Sequence, residues 1–398
     1  MIPEVREAFN LDYKDTYYEG LLKEVNERFG EPCPFRISET PVFISRELKE
    51  KVFNSCAAII EQLEKIDFDL IRRQFVPKAL QSASPAGEPH FLAIDFGLCE
   101  ADDGSIVPRL IELQAFPSLF YYQDFLGKAY YRNYPNLPQQ GFHYYLSGLD
   151  EKSYLDEMGA LLLGGHDPKH VILLELYPEK QKTRIDFSAT RQALGIEVVC
   201  YTKVKRDGRR LFYEKDGRVI PISRIYNRVI YDEIQRIPRL ETSFNLFDDL
   251  DVEWVTHPEW FFLISKCIMP LLQHESIPPS YYLTGIPGDI ALSDYVLKPL
   301  FSFAGTGINL NPTKAIIEGL PDKRNYLLQR KVRYAPLIKT KTDKNSKVEL
   351  RILYIRNEAD GRFKPVINLT RMAKGELINV SYLTEERWIG SSISLFEV

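Results

Sequence analysis

"YVLKPLFSFAGTGINL", residues 295–310, carries Lys298 at the end of an apolar run and then a glycine-flanked turn, Gly305-Thr306-Gly307. Lysine is poor strand material, and a charge on a half-buried strand needs an anionic partner. Phosphate is one such partner. It takes a cation on a rigid element together with close backbone N–H groups, which favours glycine. A snorkelling lysine beside an ordinary hairpin turn explains the same residues. The chain has no GxxxxGK[ST] motif and no HRD, and its one DFG, Asp95-Phe96-Gly97, comes before Lys298 and not after a glycine loop and lysine. The Walker and protein-kinase phosphate designs are therefore excluded.

Working outward, "YLLQRKV" (326–332) is a strand bearing Gln329, Arg330 and Lys331. It either offers backbone groups to the edge of a base between two lobes or is an ordinary edge strand. "VELRILYI" sets Arg351 inside a β-branched run, and "LTRMAKGELINVS" sets Arg371 at the end of another. Strand arginines usually face solvent; two on one face with Lys298 would form a polyanion clamp. Upstream, "FLAIDFGLCE" and "VPRLIELQAF" flank the turn "ADDGS" and read as a hairpin. Glu112 and Gln114 are two apart and share a face, with Asp95 placed to lie opposite on the partner strand. Two carboxylates and an amide oxygen converging on one point would suit Mg²⁺. They also fit the outward face of an amphipathic hairpin.

The 398 residues are 44% hydrophobic and 27% charged with net charge −4, an ordinary globular balance that draws the chain neither to nucleic acid nor to an acidic membrane. The basic run "KTKTDKNSKVELR" from Lys339 reads as a solvated loop entering a strand. Five scattered cysteines without a CxxC pair argue against a disulfide framework or structural zinc and fit a reducing, cytoplasmic setting. The polar start lacks a signal-peptide core, and the longest apolar stretch, "WFFLISKCIMPLL", is short and contains Lys266, so no membrane span is expected.

Residues 1–80 read as helical, and 81–150 contain the hairpin. In 151–245, "KHVILLEL", "EKQKTRIDFSATRQALG" and "IEVVCYT" give strand, helix, strand, hence a parallel α/β unit. Within it "RIYNRVIYDE" offers Arg228, either a cation for an anionic substrate or a surface arginine after a strand. His166 and His170 in "HDPKH" have helical spacing, but Pro168 between them argues for a loop rather than a metal site. "THPEWFFLISKCIMPLLQ" reads as a helix, and 246–398 continues mainly as strands, "TGINLN" among them.

In this order the motifs resemble the ATP-grasp ligases, specifically the circularly permuted branch that includes the synthetase domain of glutathionylspermidine synthase. The match runs over about 88–385: the "FLAIDF"/"DGSIVPRLIELQAFPS" hairpin, "HPEWFFLISKCIMPLL", "YVLKPLFSFAGTGI", "YLLQRKV", and the strands of Arg351 and Arg371. The resemblance implies an α/β (α+β) ATP-grasp fold in permuted order, with two α+β lobes and a Rossmann-like unit lining the acceptor site. It implies that Lys266 and Lys298 hold nucleotide phosphates, that Gly305, Thr306 and Gly307 cover the γ-phosphate, and that Gln329 and Lys331 frame the adenine. Asp95, Glu112 and Gln114 would ligate Mg²⁺. Arg371 would neutralise an acyl-phosphate; Arg351 is a further catalytic candidate with no assigned role, and Arg228 a catalytic candidate as the cation for the substrate carboxylate. The implied reaction joins a small-molecule or peptide carboxylate to an amine, using ATP and releasing ADP and phosphate. Two departures stand out: Ala93 replaces the arginine usual two residues before the hairpin aspartate, and Gln114 replaces an asparagine. They favour the alternative, a catalytically inactive nucleotide-binding or regulatory protein of the same fold.

Overall fold

The computed structural model describes the chain except residues 31, 84–85, 303–304, 343, 358–359, 377 and 379–383. The chain begins with helices Pro3–Asp12 and Asp15–Phe29, then helix Arg46–Leu63, as the three- and four-residue apolar spacing requires. A short strand, Val42–Ile44, interrupts them and runs parallel to the C-terminal strand Ser394–Glu397, so the two ends of the chain meet in one small sheet.

The hairpin forms as read. Strand Phe91–Glu100 pairs antiparallel with Ile106–Gln114 and lies beside strand Lys347–Arg356, which pairs with Phe363–Ala373. With Gly390–Ser392 these make one five-stranded antiparallel sheet drawn from both halves of the sequence. A second antiparallel sheet has Tyr326–Arg330 at its centre, flanked by Ser280–Tyr282 and Tyr295–Pro299. "TGINLN" does not form a strand. Only Asn309 bridges back to Leu297, because the two positive-φ glycines, Gly305 and Gly307, curl the chain over Pro299.

The third layer is the parallel unit. Its order is Glu253–Val255, Arg224–Asn227, Val171–Glu175, Glu197–Cys200, with helix Arg184–Leu194 as the crossover ending at Gly195 in left-handed conformation. The stretch read as a helix around Lys266 is broken. A single turn, Trp260–Leu263, stops at an extended Ile264, and a 3₁₀ segment, Lys266–Leu271, restarts under a Ser265 cap with Pro270 inside it. Proline at that position cannot donate to a continuous α-helical ladder. No described helix is long and apolar enough to cross a membrane.

The main core fills the space between the hairpin sheet, helix Arg46–Leu63 and the aromatic run Trp260–Ile264. Gly97 in the hairpin shows how tightly the sheet meets its cover: a Cβ there would lie 2.7 Å from Tyr334 Cε1. Gly97→Ala is therefore expected to destabilise the fold by about 1–3 kcal/mol, measured by denaturant unfolding. Unchanged stability would mean that Tyr334 is free to move aside.

Candidate functional site

The pleat of the five-stranded sheet assembles the site. Lys347, Glu349 and Arg351 alternate onto one face of their strand, and all three line a cavity of about 800 Å³. Pairing register sets Arg351 opposite Asp95 and Asp95 opposite Glu112, one row across three strands, while Arg371 pairs with Glu349 in the next row. The second sheet contributes Val296 and Lys298 by the same alternation, with Tyr295 and Leu297 turned into the core.

A bulge in the hairpin brings the two sheets into contact. The register slips after Asp95, so Ile111 has no cross-strand partner. Its carbonyl accepts the Lys298 Nζ at 3.0 Å, and the neighbouring Leu110 carbonyl accepts Gln329 Nε2 at 3.0 Å. Lys298 is only 6% exposed and still lines the cavity. Burial pulls its ammonium down to about 8 despite the nearby Glu112.

Asp95 is fully buried and is the hub of the charge cluster. Arg351 donates from Nε to Oδ1 and from Nη2 to Oδ2, both at 2.6 Å, and Arg371 Nη2 donates to the same Oδ2. Arg371 also lies 3.1 Å from Glu349, whose carboxylate accepts the Tyr334 hydroxyl. Burial raises the Glu349 carboxyl against the pull of Arg371. Glu112 pairs with Lys266 at 3.1 Å; burial pushes its carboxyl up, but Lys266, Arg351 and Lys298 outweigh that and hold it well below the usual range.

The expected residues thus separate into two groups. Lys298, Gly305, Gln329, Lys331, Glu112, Gln114, Arg351, Arg371 and Arg228 all line one cavity. Asp95, Lys266, Thr306 and Gly307 are outside its lining. Lys266 stands behind the wall, donating to the Ser302 carbonyl at 2.5 Å and so tethering the start of the glycine turn. The Lys331 backbone N–H is engaged by Asp294 O at 2.8 Å, and Lys331 Nζ lies 3.5 Å from Asn311. Arg228 is not a surface arginine: it is 4% exposed, and its Nη1 donates to Pro117 O at 2.7 Å.

Asp95 does not suit Mg²⁺, because both its oxygens are held by guanidinium groups. Among the described residues no three acidic, histidine or cysteine side chains group as a metal cage. Glu112 and Gln114 do not suit Mg²⁺ either: their oxygens are on the cavity wall, but Glu112 is paired with Lys266 and lies 3.7 Å from Arg351. The Gln114 amide, oriented to satisfy its surroundings, accepts from Arg351 Nη2 at 2.9 Å. Glu349 was not anticipated. The alternation in "KVELR" places it on the face of Arg351, and that was the available signal.

A glutathione synthetase-like effector, GSS30, from Globodera pallida, solved in its apo form, is similar in structure. Its TM-score is 0.56 at 13% identity, covering 100% of this chain and 98% of that one. At that identity the likeness shows a glutathione synthetase-like fold and nothing finer. No family model and no curated protein matches the chain.

Removing Asp95 leaves Arg351 and Arg371 buried with too little negative charge, so Asp95→Ala is expected to lose about 3–5 kcal/mol of stability. Urea unfolding checks this. A loss below that of an ordinary surface substitution would show that Asp95 is not the hub.

Proposed function

We propose that this protein is an ATP-dependent ligase of circularly permuted ATP-grasp type, joining a carboxylic acid to an amine through an acyl-phosphate. The supporting observation is the convergence of Lys298, Arg351 and Arg371 on one cavity that also exposes Glu112 and Gln114, in a chain with a glutathione synthetase-like fold.

In the first step a substrate carboxylate oxygen attacks the γ-phosphorus. The new O–P bond forms as the bond to the β,γ-bridging oxygen breaks, and ADP leaves with that electron pair. The amine nitrogen then attacks the acyl carbon, the C–O bond to phosphate breaks, and inorganic phosphate departs; the nitrogen releases its proton. Phosphoryl transfer offers side chains little covalent work, so the residues act by placement and charge. Lys298 meets the phosphates from the edge of the second sheet. Arg351 and Arg371 face the transferring group from the first sheet, held in place by Asp95. The backbone of Gly305 approaches closely because its φ of 76° is open to glycine.

The second reading, a nucleotide-binding protein without ligase activity, is favoured by one observation. The guanidinium groups of Arg351 and Arg371 are already shared with Asp95 and Glu349, so an incoming phosphate competes with internal anions.

Thermal unfolding with saturating Mg²⁺-ATP is expected to stabilise the wild type by about 2.7 kcal/mol at a hundred times the dissociation constant. Lys298→Ala should lose that gain, and ADP release should require both an acid and an amine. No stabilisation by ATP overturns the nucleotide site; stabilisation with no ADP release from any acid–amine pair supports the second reading. Because burial lowers the Lys298 pKa to about 8, phosphate binding should draw a proton onto it above that pH. Calorimetry at pH 9 in buffers of differing ionisation enthalpy should show net proton uptake that is absent from Lys298→Ala.

A further inference from the structure

An outer strand of the five-stranded sheet brings a serine beside Arg371. Gly390–Ser392 pairs antiparallel with Phe363–Ala373, and register sets Ser391 directly opposite Arg371. Residues so paired share a face, with Cβ atoms about 4.5–5.5 Å apart. Both line the cavity. Ser391 is 3% exposed, and its backbone is fully engaged: its N–H donates to Arg36 O and its carbonyl accepts the Ser38 N–H, both at 2.8 Å. Its hydroxyl has no hydrogen-bond partner among the described residues. The other hydroxyls of "GSSIS" (390–394) are satisfied inside the protein. Ser392 Oγ donates to Thr40 O at 2.6 Å, and Ser394 Oγ lies 2.7 Å from Thr370 Oγ1.

Arg371 is left in a similar state. Its Nη2 serves Asp95 and Glu349, while its Nε is buried without a partner among the described residues. Unpaired buried donors are unfavourable, and a bound oxygen acceptor relieves them. The wall beside this pair is apolar. Leu369 lies two residues before Arg371, on the same face, and lines the cavity. It is buried, yet it packs into none of the core clusters formed by the described residues. Phe35 also lines the cavity; it lies two residues before Ile37, which bridges Ser391 in parallel. Its ring stands edge-on to Tyr122, with centroids 5.5 Å apart. Two free donors thus adjoin an apolar surface.

We infer that Ser391 is a substrate-binding residue: its hydroxyl and Arg371 Nε–H donate to the carboxylate of an acid whose apolar chain or ring lies on Leu369 and Phe35. This deepens the ligase reading and rests on it only for the role of that acid as the group to be activated. A peptide of polar residues is disfavoured there, since its side chains would lose water against Leu369 and Phe35 without gaining partners.

Isothermal titration of the full chain tests this with three probes: hexanoate, acetate and n-hexanol. Each is run alone and with saturating Mg²⁺ and a non-hydrolysable ATP analogue. Hexanoate should bind at least about tenfold more tightly than either other probe, since acetate lacks the chain and n-hexanol the charge. Ser391→Ala should weaken hexanoate about tenfold, the loss expected for one hydrogen bond to a charged group. That variant should unfold at the wild-type temperature, because the hydroxyl bonds nothing in the protein. A lower unfolding temperature would reveal an internal partner and overturn the role of Ser391. Leu369→Thr, as a second variant, should weaken hexanoate and leave acetate unchanged. Equal binding of acetate overturns the apolar wall, and equal binding of n-hexanol overturns the donor pair. Undiminished hexanoate binding in Ser391→Ala, or none in the wild type in either state, overturns the subsite. Titration of the ATP analogue separates the two proposals. Hexanoate binding without analogue binding retains the subsite and overturns the nucleotide reading, and the reverse overturns the subsite alone.

Discussion

The carboxylate of Asp95 holds the centre of this molecule together. It is fully buried, and Arg351 grips it through two parallel N–H bonds while Arg371 adds a third. The dependence is mutual: without Asp95 the two guanidinium groups lose the one anion they share, and keep only Glu349 on Arg371 and Gln114 and Glu112 on Arg351. Asp95 is therefore best understood as the support of a cationic wall rather than as a metal ligand. That wall in turn keeps Glu112 ionised, and Glu112 secures Lys266 behind the turn that follows Lys298.

The cavity gathers its lining from three sheets, and each supplies a different chemistry. The antiparallel hairpin sheet presents guanidinium groups with carboxylates between them. The second sheet presents one buried lysine and a glycine turn, braced against the hairpin through the Ile111 carbonyl. The parallel sheet and the loops that follow its strands present Glu175, Glu233, Lys180, Lys182 and Arg228.

Much of this was legible in the sequence. Alternation in "FLAIDFGLCE" and "VPRLIELQAF" gave the hairpin and put Glu112 and Gln114 on one face; the strand-helix-strand pattern at 171–200 gave the parallel unit. What was not legible depended on distance or on single irregularities. That Asp95 faces Arg351 follows from register between strands 256 residues apart, which no local pattern encodes. The bulge at Ile111 leaves no signature in its own composition, yet it creates the acceptor for Lys298. The apolar run around Lys266 looked helical because its spacing is helical, but Ser265 and Pro270 divide it, and the division turns Lys266 toward Ser302.

The most direct measurement is a crystal structure of the protein soaked with Mg²⁺ and a non-hydrolysable ATP analogue. The account predicts triphosphate density against Lys298 and the Gly305 turn, with Arg351 and Arg371 still anchored on Asp95. Nucleotide bound elsewhere, or a cavity left without it at saturating concentration, would contradict the account.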